Sequence, residues 1–458
     1  MLRKCVDLFS SGLNKKTSLI LILTFIIIVV LDSTIFQFVS YASLNLPTSS
    51  HMGIFLAFST FFSVISILLM NLTRKSFPST YTLPVKMKYF YWFILCIQIL
   101  TLGIILTIIL QMIIYKKYSV ILLSAEIDIT YISTLIFVIL LVFIFVRWFK
   151  SKRNYIILLF AIAFSLLAIN TIISLIYLDS YFSRAILISP DIKPYHIAIF
   201  VTNFGVLSLN QKLSIVYDIF SILSFSFMWL ASAILLSHYR YKLGRVKYFF
   251  LISIPLIYYL SSFESYFENI FLSIILDSPT ISAVFYILIL NITGQIGALF
   301  FSLSFLIAST FVATKKVRQS LLISGIGIAI IFGSLEITTL QYTLYPPYGL
   351  ITVAFMPFGA YLLFSGIITS AQNVSRNIEI RKELYKSTES ELSFLKEIGE
   401  AQRVQELVKK CRYIAKRIPM LGEKENFELE QKEAMGIIHD VLNELNKSDP
   451  RRKSQKQK

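Results

Sequence analysis

The chain has 458 residues, with 43 Lys and Arg against 26 Asp and Glu and a formal net charge of +17. Hydrophobic residues make up 56% of it, only 15% are charged, and the mean hydropathy is +0.72, which lies far outside the usual soluble range. These values exclude a soluble globular protein. They also argue against a nucleic-acid partner, because such a surface needs Lys and Arg clustered on one soluble face.

Ten apolar runs, each long enough to cross a bilayer, occupy most of residues 17–371. A hydrocarbon core of roughly 30 Å needs about 20 apolar residues in an α-helix, which satisfies every backbone amide within itself. The sequence therefore predicts an all-α fold, a polytopic transmembrane helical bundle of about 10 crossings in residues 1–371. The expected crossings are 17–38, 53–72, 89–114, 129–146, 155–178, 214–236, 249–271, 281–312, 321–340 and 349–370.

Basic residues between the runs fall on alternate segments, 19 inside and 5 outside. Because basic residues stay on the cytoplasmic side, this pattern predicts a multi-pass cell-membrane protein with both termini in the cytoplasm and the lipid bilayer as a partner. The inside residues are Arg3, Lys4, Lys15, Lys16, Arg74, Lys75, Lys86, Lys88, Arg147, Lys150, Lys152, Arg153, Arg240, Lys242, Arg245, Lys247, Lys315, Lys316 and Arg318. The outside residues are Lys116, Lys117, Arg184, Lys193 and Lys212.

Two features of this map have a second interpretation. Residues 1–31 have the basic and apolar regions of a secretory signal, but an apolar stretch of about 22 residues exceeds the ~7–15 of such signals and favours a retained first helix. The eighth run either tilts as one crossing or breaks near Gly294 and Gly297. An extra crossing there would invert the sidedness of everything that follows, and the charge alternation argues against it.

Cysteine and histidine are too few and too dispersed to form a metal centre. The three cysteines, Cys5, Cys96 and Cys411, are scattered over separate segments, and the four histidines show no HxxxH or HExxH spacing. We therefore expect no metal, no cofactor and no catalytic residue of a familiar kind.

One long external loop is expected at residues 179–213. It carries Pro190, Pro194 and Gly205, and its alternating apolar stretch after His196 predicts a strand or short hairpin over the helix ends. Long loops in compact domains often act as lids or binding segments. The equally simple alternative is an amphipathic cap that shields the helix ends.

Six polar residues within or beside the runs are the candidate ligand or polar intramembrane site, since such groups are costly in hydrocarbon unless they meet a partner or water. Asn291 and Gln295 lie four apart on one helix face, and hydrogen bonding between helices is their structural interpretation. The carboxylates either meet interfacial water or form an outward-facing acidic vestibule for a cation or an amine. The six residues are Asp32, Glu264, Glu268, Asn291, Gln295 and Glu336.

Small residues and prolines indicate how the helices pack. Gly325, Ala329 and Gly333 recur every four residues in the ninth run, which predicts a stripe that another helix can approach closely. Pro255 and Pro357 are expected to kink the seventh and tenth helices, because proline removes a backbone donor.

Residues 372–458 are predicted to form a cytoplasmic tail. An apolar stripe from 374 to 418 predicts an amphipathic helix continuous with the last crossing, and a second helix is expected over 426–445. Residues 451–458 form a basic end of disordered composition. The long helix suits either a cytosolic protein partner or self-association.

Two stretches resemble known families. Residues 436–444, around His439 and Asp440, resemble the phosphoacceptor helix of sensor histidine kinases, which implies a phosphorylated His439; the ordinary alternative is a solvated histidine on a polar face. Residues 345–400 are similar to uncharacterised polytopic membrane proteins of ammonia-oxidising archaea, and the layout resembles the membrane sensor part of signalling proteins. The first resemblance ends after Asp440, where the kinases have a basic residue and a proline.

Three function classes follow from these observations. A receptor-like sensor or signal transducer without its own catalytic domain agrees best with the tail helix. A secondary transporter or channel for a small cation or amine is the alternative, and it would place polar residues near the middle of the bilayer. A membrane-embedded enzyme is third, because it needs nucleophiles, carboxylates or histidines converging at one depth.

Overall fold

The structure is a computed structural model of the whole chain, and it describes ten segments. They are residues 15–41, 48–76, 85–182, 187–188, 209–237, 239–256, 279–312, 314–335, 346–376 and 393–417. Nearly all of these residues are helical, so the prediction of an all-α fold is confirmed.

Thirteen α-helices and two short strands lie in the described residues. The helices are α1 (Lys15–Tyr41), α2 (Thr48–Ser76), α3 (Val85–Tyr115), α4 (Val120–Ser151), α5 (Tyr155–Phe182), α6 (Leu209–Ser237), α7 (Arg240–Leu243), α8 (Arg245–Ser253), α9 (Pro279–Thr310), α10 (Lys315–Leu335), α11 (Leu350–Val353), α12 (Met356–Arg376) and α13 (Ser393–Arg417). The strands are β1 (Tyr118–Ser119) and β2 (Leu187–Ile188).

Six helical segments in the described part of the chain are long and apolar enough to cross a membrane. They are Tyr89–Tyr115, Val120–Ser151, Tyr155–Ile176, Ile215–Ser237, Lys315–Leu335 and Leu350–Ser375. Two shorter apolar helical stretches are Met52–Ile67 and Gln295–Thr310. A membrane-embedded, multi-pass architecture follows from these lengths, whereas the count of ten crossings stays a prediction.

Several helix boundaries differ from those predicted. The fourth helix begins at Val120, nine residues before its predicted start at 129. The eighth run forms one unbroken helix, α9, so it does not break at Gly294 or Gly297. The seventh predicted crossing lies mostly outside the described residues; its helix α8 ends at Ser253, and a 3-10 turn, Ile254–Leu256, contains Pro255.

The centre of the bundle is the pair α10 and α12, which are almost wholly buried. Their backbones nearly touch at Gly327, where an added Cβ would lie 2.5 Å from the amide nitrogen of Leu363 and 2.6 Å from the carbonyl oxygen of Gly359. On α12, a Cβ at Gly366 would lie 2.7 Å from the Ser320 carbonyl. Only glycine permits so close an approach of two helix backbones.

The predicted small-residue stripe lies on the side of α10 that faces α9. A Cβ added at Gly325 would meet the Ser302 carbonyl of α9 at 3.2 Å, and one at Gly333 would meet Gln295 Oε1 at 3.0 Å. Ala329, between them, is fully buried. The prediction of close packing on this stripe is confirmed, although Gly327, outside the stripe, approaches the backbone of α12 more closely than the stripe approaches α9.

The tenth predicted helix is interrupted, as its proline suggested. α11 spans Leu350–Val353, two residues follow outside regular helix, and α12 begins at Met356, directly before Pro357. Gly349 precedes α11 with a φ of +83°, a left-handed conformation that favours glycine. The interruption lies within an apolar stretch otherwise long enough to span a membrane.

The outer surface of the bundle is apolar. Large side chains such as Ile27, Ile113 and Phe143 are exposed by 57%, 53% and 68%, and similar residues recur along α1 to α6. Exposed apolar surface on this scale is unfavourable in water and ordinary against lipid tails. The chain therefore buries its polar side chains inside and presents apolar ones outward.

The two ends of the bundle are distinct. At one, the sheet end, β1 pairs antiparallel with β2, so residues 187–188 of the long loop pair with the α3–α4 connection. The predicted strand after His196 lies outside the described residues. At the opposite end, the tail end, α13 packs against α12, α4 and α5.

The prediction of one continuous helix from 374 to 418 is wrong. A Cβ added at Gly399 of α13 would lie 2.8 Å from the Cβ of Val374 on α12. In a continuous helix, 25 residues would separate these positions by about 37 Å. The residues therefore belong to two helices, α12 and α13, that pack on each other, which phase continuity of the apolar stripe does not reveal.

Substitution of Gly327 by Ala tests the central packing. The new Cβ would meet backbone atoms of α12, which cannot rotate away, so we expect the free energy of unfolding in detergent to fall by about 1–3 kcal/mol. Gly103→Ala is the matched control, because no atom lies within 4 Å of its Cβ position and alanine favours helix. Equal stability of the two variants would contradict the close approach of α10 and α12.

Candidate functional site

A buried carboxylate binds the interruption in the tenth predicted helix. Asp32 of α1 is 1% exposed. Its two oxygens accept the backbone N–H of Gly349, at 3.2 and 3.1 Å, and one oxygen accepts the Thr352 hydroxyl at 2.7 Å. The carboxylate thus acts as an N-terminal cap for α11, supplied by a distant helix.

The local chemistry explains this arrangement. The first N–H groups of a helix have no partner within the helix and carry partial positive charge, so a carboxylate there is stabilising. Gly349 permits the turn that aims its N–H at Asp32. Charge-assisted hydrogen bonds of this kind are roughly twice as strong as neutral ones.

Other helices contact the same short segment. The Ser334 hydroxyl of α10 donates to the Thr352 carbonyl at 2.9 Å, and Gln98 of α3 donates through Nε2 to the Ala354 carbonyl at 3.2 Å. Tyr348 is fully buried, with its ring edge-on to that of Phe55 on α2. Side chains of α1, α2, α3 and α10 therefore converge on α11 and its flanks. We call this cluster of Asp32, Phe55, Gln98, Ser334, Tyr348, Gly349 and Thr352 the α11 knot.

Glu126 of α4 is a second buried carboxylate, and sequence reasoning missed it. Its side chain is fully buried, and neither oxygen has a hydrogen-bond partner among the described residues. Eleven residues, about three helical turns, separate Glu126 from Phe137, so the two lie on one face. Phe137 packs on Tyr361 and Phe364 of α12, and α4 also contacts α11. Glu126 therefore lies on the face of α4 that packs on α12.

An isolated ionised carboxylate in an apolar interior costs several kcal/mol, so Glu126 must either carry a proton or bind a donor or cation. The predicted crossing begins at residue 129, just after Asp128, and so leaves out Glu126. The neighbouring Asp128 does behave as a flank residue, since it is only partly buried and accepts the Ser124 hydroxyl at 3.4 Å. The signal that was available is the length of apolar sequence on both sides of Glu126.

The predicted site residues have different outcomes. Asp32 is buried in the α11 knot rather than exposed to interfacial water. Gln295 donates through Nε2 to the Gly333 carbonyl at 3.3 Å, a bond between α9 and α10. Asn291 lies in α9, but its side chain is not among those described. The remaining predictions lie outside the described residues: Glu264, Glu268, Glu336 and His439.

At the tail end, polar contacts fasten α13 to the bundle. Lys152, just after α4, forms ion pairs with Glu397, at 2.7 Å, and with Glu400. Trp148 Nε1 donates to Gln402 Oε1 at 3.2 Å. Beneath these contacts, three side chains of α13 are buried: Leu395, Ile398 and Ala401.

The positive charge of Lys152 stabilises the packing of α13 against the bundle. Partial burial lowers its pKa, but hydrogen bonds and charge interactions with Glu397 and Glu400 outweigh burial, so the pKa is raised above its usual value. A raised pKa means that the stabilisation is fully present below the ordinary lysine pKa and is lost only as the pH rises through the folded value. The contact therefore persists throughout the physiological range.

Within the described part of the chain, no group of three or more His, Cys, Asp or Glu is placed to hold a metal ion. Comparison with protein-family models, with curated proteins and with solved structures gave no match.

Two amide substitutions distinguish the buried carboxylates. Asp32→Asn leaves one oxygen acceptor and turns an NH₂ group toward the Gly349 N–H or the Thr352 hydroxyl, so we expect a loss of about 2 kcal/mol in the free energy of unfolding. Glu126→Gln removes a charge that has no described partner, and its stability should change by less than about 0.5 kcal/mol or increase. Detergent unfolding curves measure both variants, and a larger loss for Glu126→Gln would contradict this assignment.

Proposed function

We propose that the chain is a receptor-like signal transducer of the cell membrane, without a catalytic domain of its own in residues 1–458. The observation that carries the proposal is that α12 follows α11 after two residues and, near its other end, packs on the docked helix α13. A conformational change at the sheet end would reach the tail end through one buried helix, α12.

The geometry of α12 supports such a role. Its 21 residues, Met356–Arg376, extend about 31 Å, roughly the thickness of a hydrocarbon core. Its N-terminal end follows the segment bonded to Asp32, and near its C-terminal end Val374 packs on Gly399. A regular helix held by close packing moves as a unit, and helix shifts of 1–2 Å are a known means of signalling.

In this mechanism, helix α13 passes the signal on to a partner. Its polar attachment to the bundle includes Glu397, Glu400 and Gln402, and residues 402–408 are only half-buried. Release of α13 would expose the apolar face of Leu395, Ile398 and Ala401 to a cytosolic protein or to a second copy of the chain. The docked and released positions of α13 would be the two states that a signal biases.

The proposed orientation places α13 in the cytoplasm. Described basic residues are numerous at the tail end, including Lys150, Lys152 and Arg153, whereas Lys116 and Lys117 lie beside the sheet. Basic residues are retained on the cytoplasmic side, so the sheet end would face outward. A ten-crossing map with both termini inside fits this distribution.

A secondary transporter or channel for a small cation or amine is the second candidate. Helices interrupted at membrane depth beside buried polar groups are typical of transporter binding sites, and α11, Asp32 and Glu126 form such a combination. A transporter should carry ¹⁴C-methylammonium into proteoliposomes, and Glu126→Gln should abolish that uptake. Uptake that depends on Glu126 would replace the transducer proposal.

The transducer proposal predicts coupling between the α11 knot and α13. In a variant lacking the native cysteines, Val374→Cys and Gly399→Cys should form a disulfide on oxidation after α13 moves outward by about 1 Å, since the two Cβ positions lie 2.8 Å apart and a disulfide needs about 3.5–4.5 Å. Adding Asp32→Asn loosens α11 and should slow the cross-linking rate about fivefold or more, which corresponds to about 1 kcal/mol of coupling. The rate is measured by mobility shift in nanodiscs.

Leu31→Ala is the matched control, because Leu31 neighbours Asp32 on α1 but is 44% exposed. It should leave the cross-linking rate unchanged. If Asp32→Asn remains folded and cross-links as fast as the control, α13 does not respond to the α11 knot and the transducer proposal fails.

A further inference from the structure

The turn from α6 to α8 and the start of α10 form a basic surface at the tail end of the bundle. Tyr217, near the start of α6, donates to the carbonyl of Leu335, which ends α10 on the side of the α11 knot. The other ends of α6 and α10 therefore lie at the tail end. The basic surface consists of seven residues: Arg240, Lys242, Arg245, Lys247, Lys315, Lys316 and Arg318.

The basic surface has a large excess of positive charge, and all of its residues are exposed. The sequence has no Asp or Glu from 219 to 263 or from 278 to 335. In the described part of the chain, no ion pair involves Arg245 or Lys247. A partner for this surface must therefore carry negative charge.

Contacts with Phe311 bring the two parts of the basic surface together. The Lys242 ammonium lies 5.1 Å from the centre of the Phe311 ring, and Tyr239 stacks on the same ring with centroids 4.8 Å apart. Phe311 precedes Lys315 by four residues, a segment that spans at most about 14 Å. The cations of the turn and those that begin α10 are therefore neighbours.

Side-chain packing holds the turn from α6 to α8 in one shape. The Arg240 guanidinium lies 5.0 Å from the centre of the Phe249 ring and 5.7 Å from that of Tyr248, which are cation–π contacts. The Tyr248 hydroxyl donates to the Ala233 carbonyl of α6 at 3.3 Å. Gly244, with a φ of +85°, permits the sharp bend between α7 and α8. The basic side chains therefore project from an ordered turn.

One face of α8 adds an exposed apolar stripe to the basic surface. Val246, Phe249 and Phe250 lie at helix positions i, i+3 and i+4 and are exposed by 82%, 55% and 68%. Tyr241 of α7 is 96% exposed. Basic residues beside exposed aromatic side chains are typical of segments at the boundary between lipid headgroups and acyl chains. The partner must therefore offer apolar surface as well as negative charge.

We propose that the basic surface binds the phosphate of an anionic phospholipid, whose acyl chains lie against the apolar stripe of α8. Such a lipid provides both chemistries in one molecule, whereas a soluble anion would leave Val246, Phe249 and Phe250 uncovered. Selective binding at one place is more than the general retention of basic residues on one side of a membrane. It does not depend on the proposed transducer, because it needs only that the tail end lies at a bilayer surface.

Quenching by brominated lipids tests the proposal on the full chain in phosphatidylcholine vesicles. In a variant lacking the native cysteines, Val246→Cys carries a bimane fluorophore, which bromine quenches on contact. Brominated phosphatidylglycerol should be enriched there about fivefold or more over its bulk fraction, with brominated phosphatidylcholine as the reference. The same fluorophore at Tyr115→Cys, which is 65% exposed and lies at the sheet end, should report no such enrichment.

Charge substitutions locate the binding. Arg245→Gln combined with Lys247→Gln should reduce the enrichment at Val246→Cys to near the bulk fraction. Lys116→Gln combined with Lys117→Gln is the matched control, because it removes two exposed cations at the opposite end and should leave the enrichment unchanged.

Should the α8 double variant fail to fold, Lys315→Gln combined with Lys316→Gln decides, because these residues lie at the other part of the basic surface. The proposal is overturned if the two brominated lipids quench equally at Val246→Cys, which would leave the surface to an acidic protein segment. It is also overturned if the folded charge variants keep the enrichment, or if excess glycerol 3-phosphate abolishes it, since the surface would then take a soluble anion. None of these outcomes alters the cross-linking response that tests the transducer.

Discussion

The backbone contact between α10 and α12 is the constraint on which the rest of the structure depends. Gly327, Gly359 and Gly366 let the two helices approach until an added Cβ would strike the neighbouring helix. The remaining described crossings pack around this pair and turn their apolar side chains outward. Because lipid supplies little hydrophobic drive between helices, close packing and hydrogen bonds must hold such a bundle together.

The polar groups inside the bundle divide into satisfied and unsatisfied ones. Asp32 accepts hydrogen bonds from Gly349 and Thr352 and so fixes α11 against α1. Glu126 and the Oδ1 of Asn170 are buried without a partner in the described structure. The hydrogen-bonded polar groups explain how an interrupted helix is stable in an apolar interior. At the polar groups without a hydrogen bond, binding of a proton or a ligand would lower the free energy.

The sequence predicted much of the helical fold but less of the candidate site around α11. Hydropathy predicted apolar helices, six of which are long enough to cross a membrane in the described part of the chain, and the spacing of Gly325, Ala329 and Gly333 predicted close packing, since these signals are local in the chain. The partners of Asp32 lie more than 300 residues away, and no local pattern encodes which helices adjoin. Glu126 was missed because two acidic residues, Glu126 and Asp128, shifted the hydropathy boundary to residue 129. The predicted helix from 374 to 418 joined two separate helices because an apolar stripe can keep its phase from one helix to the next.

Hydrogen–deuterium exchange of the chain in nanodiscs tests the central claim most directly, namely that α12 links the Asp32-capped interruption to the docked helix. The account predicts that α10 and α12 exchange slowest. It also predicts that Asp32→Asn accelerates exchange at Leu350–Val353 and, at the opposite end, across residues 393–401. An acceleration confined to Leu350–Val353, with the docked helix unchanged, would contradict it.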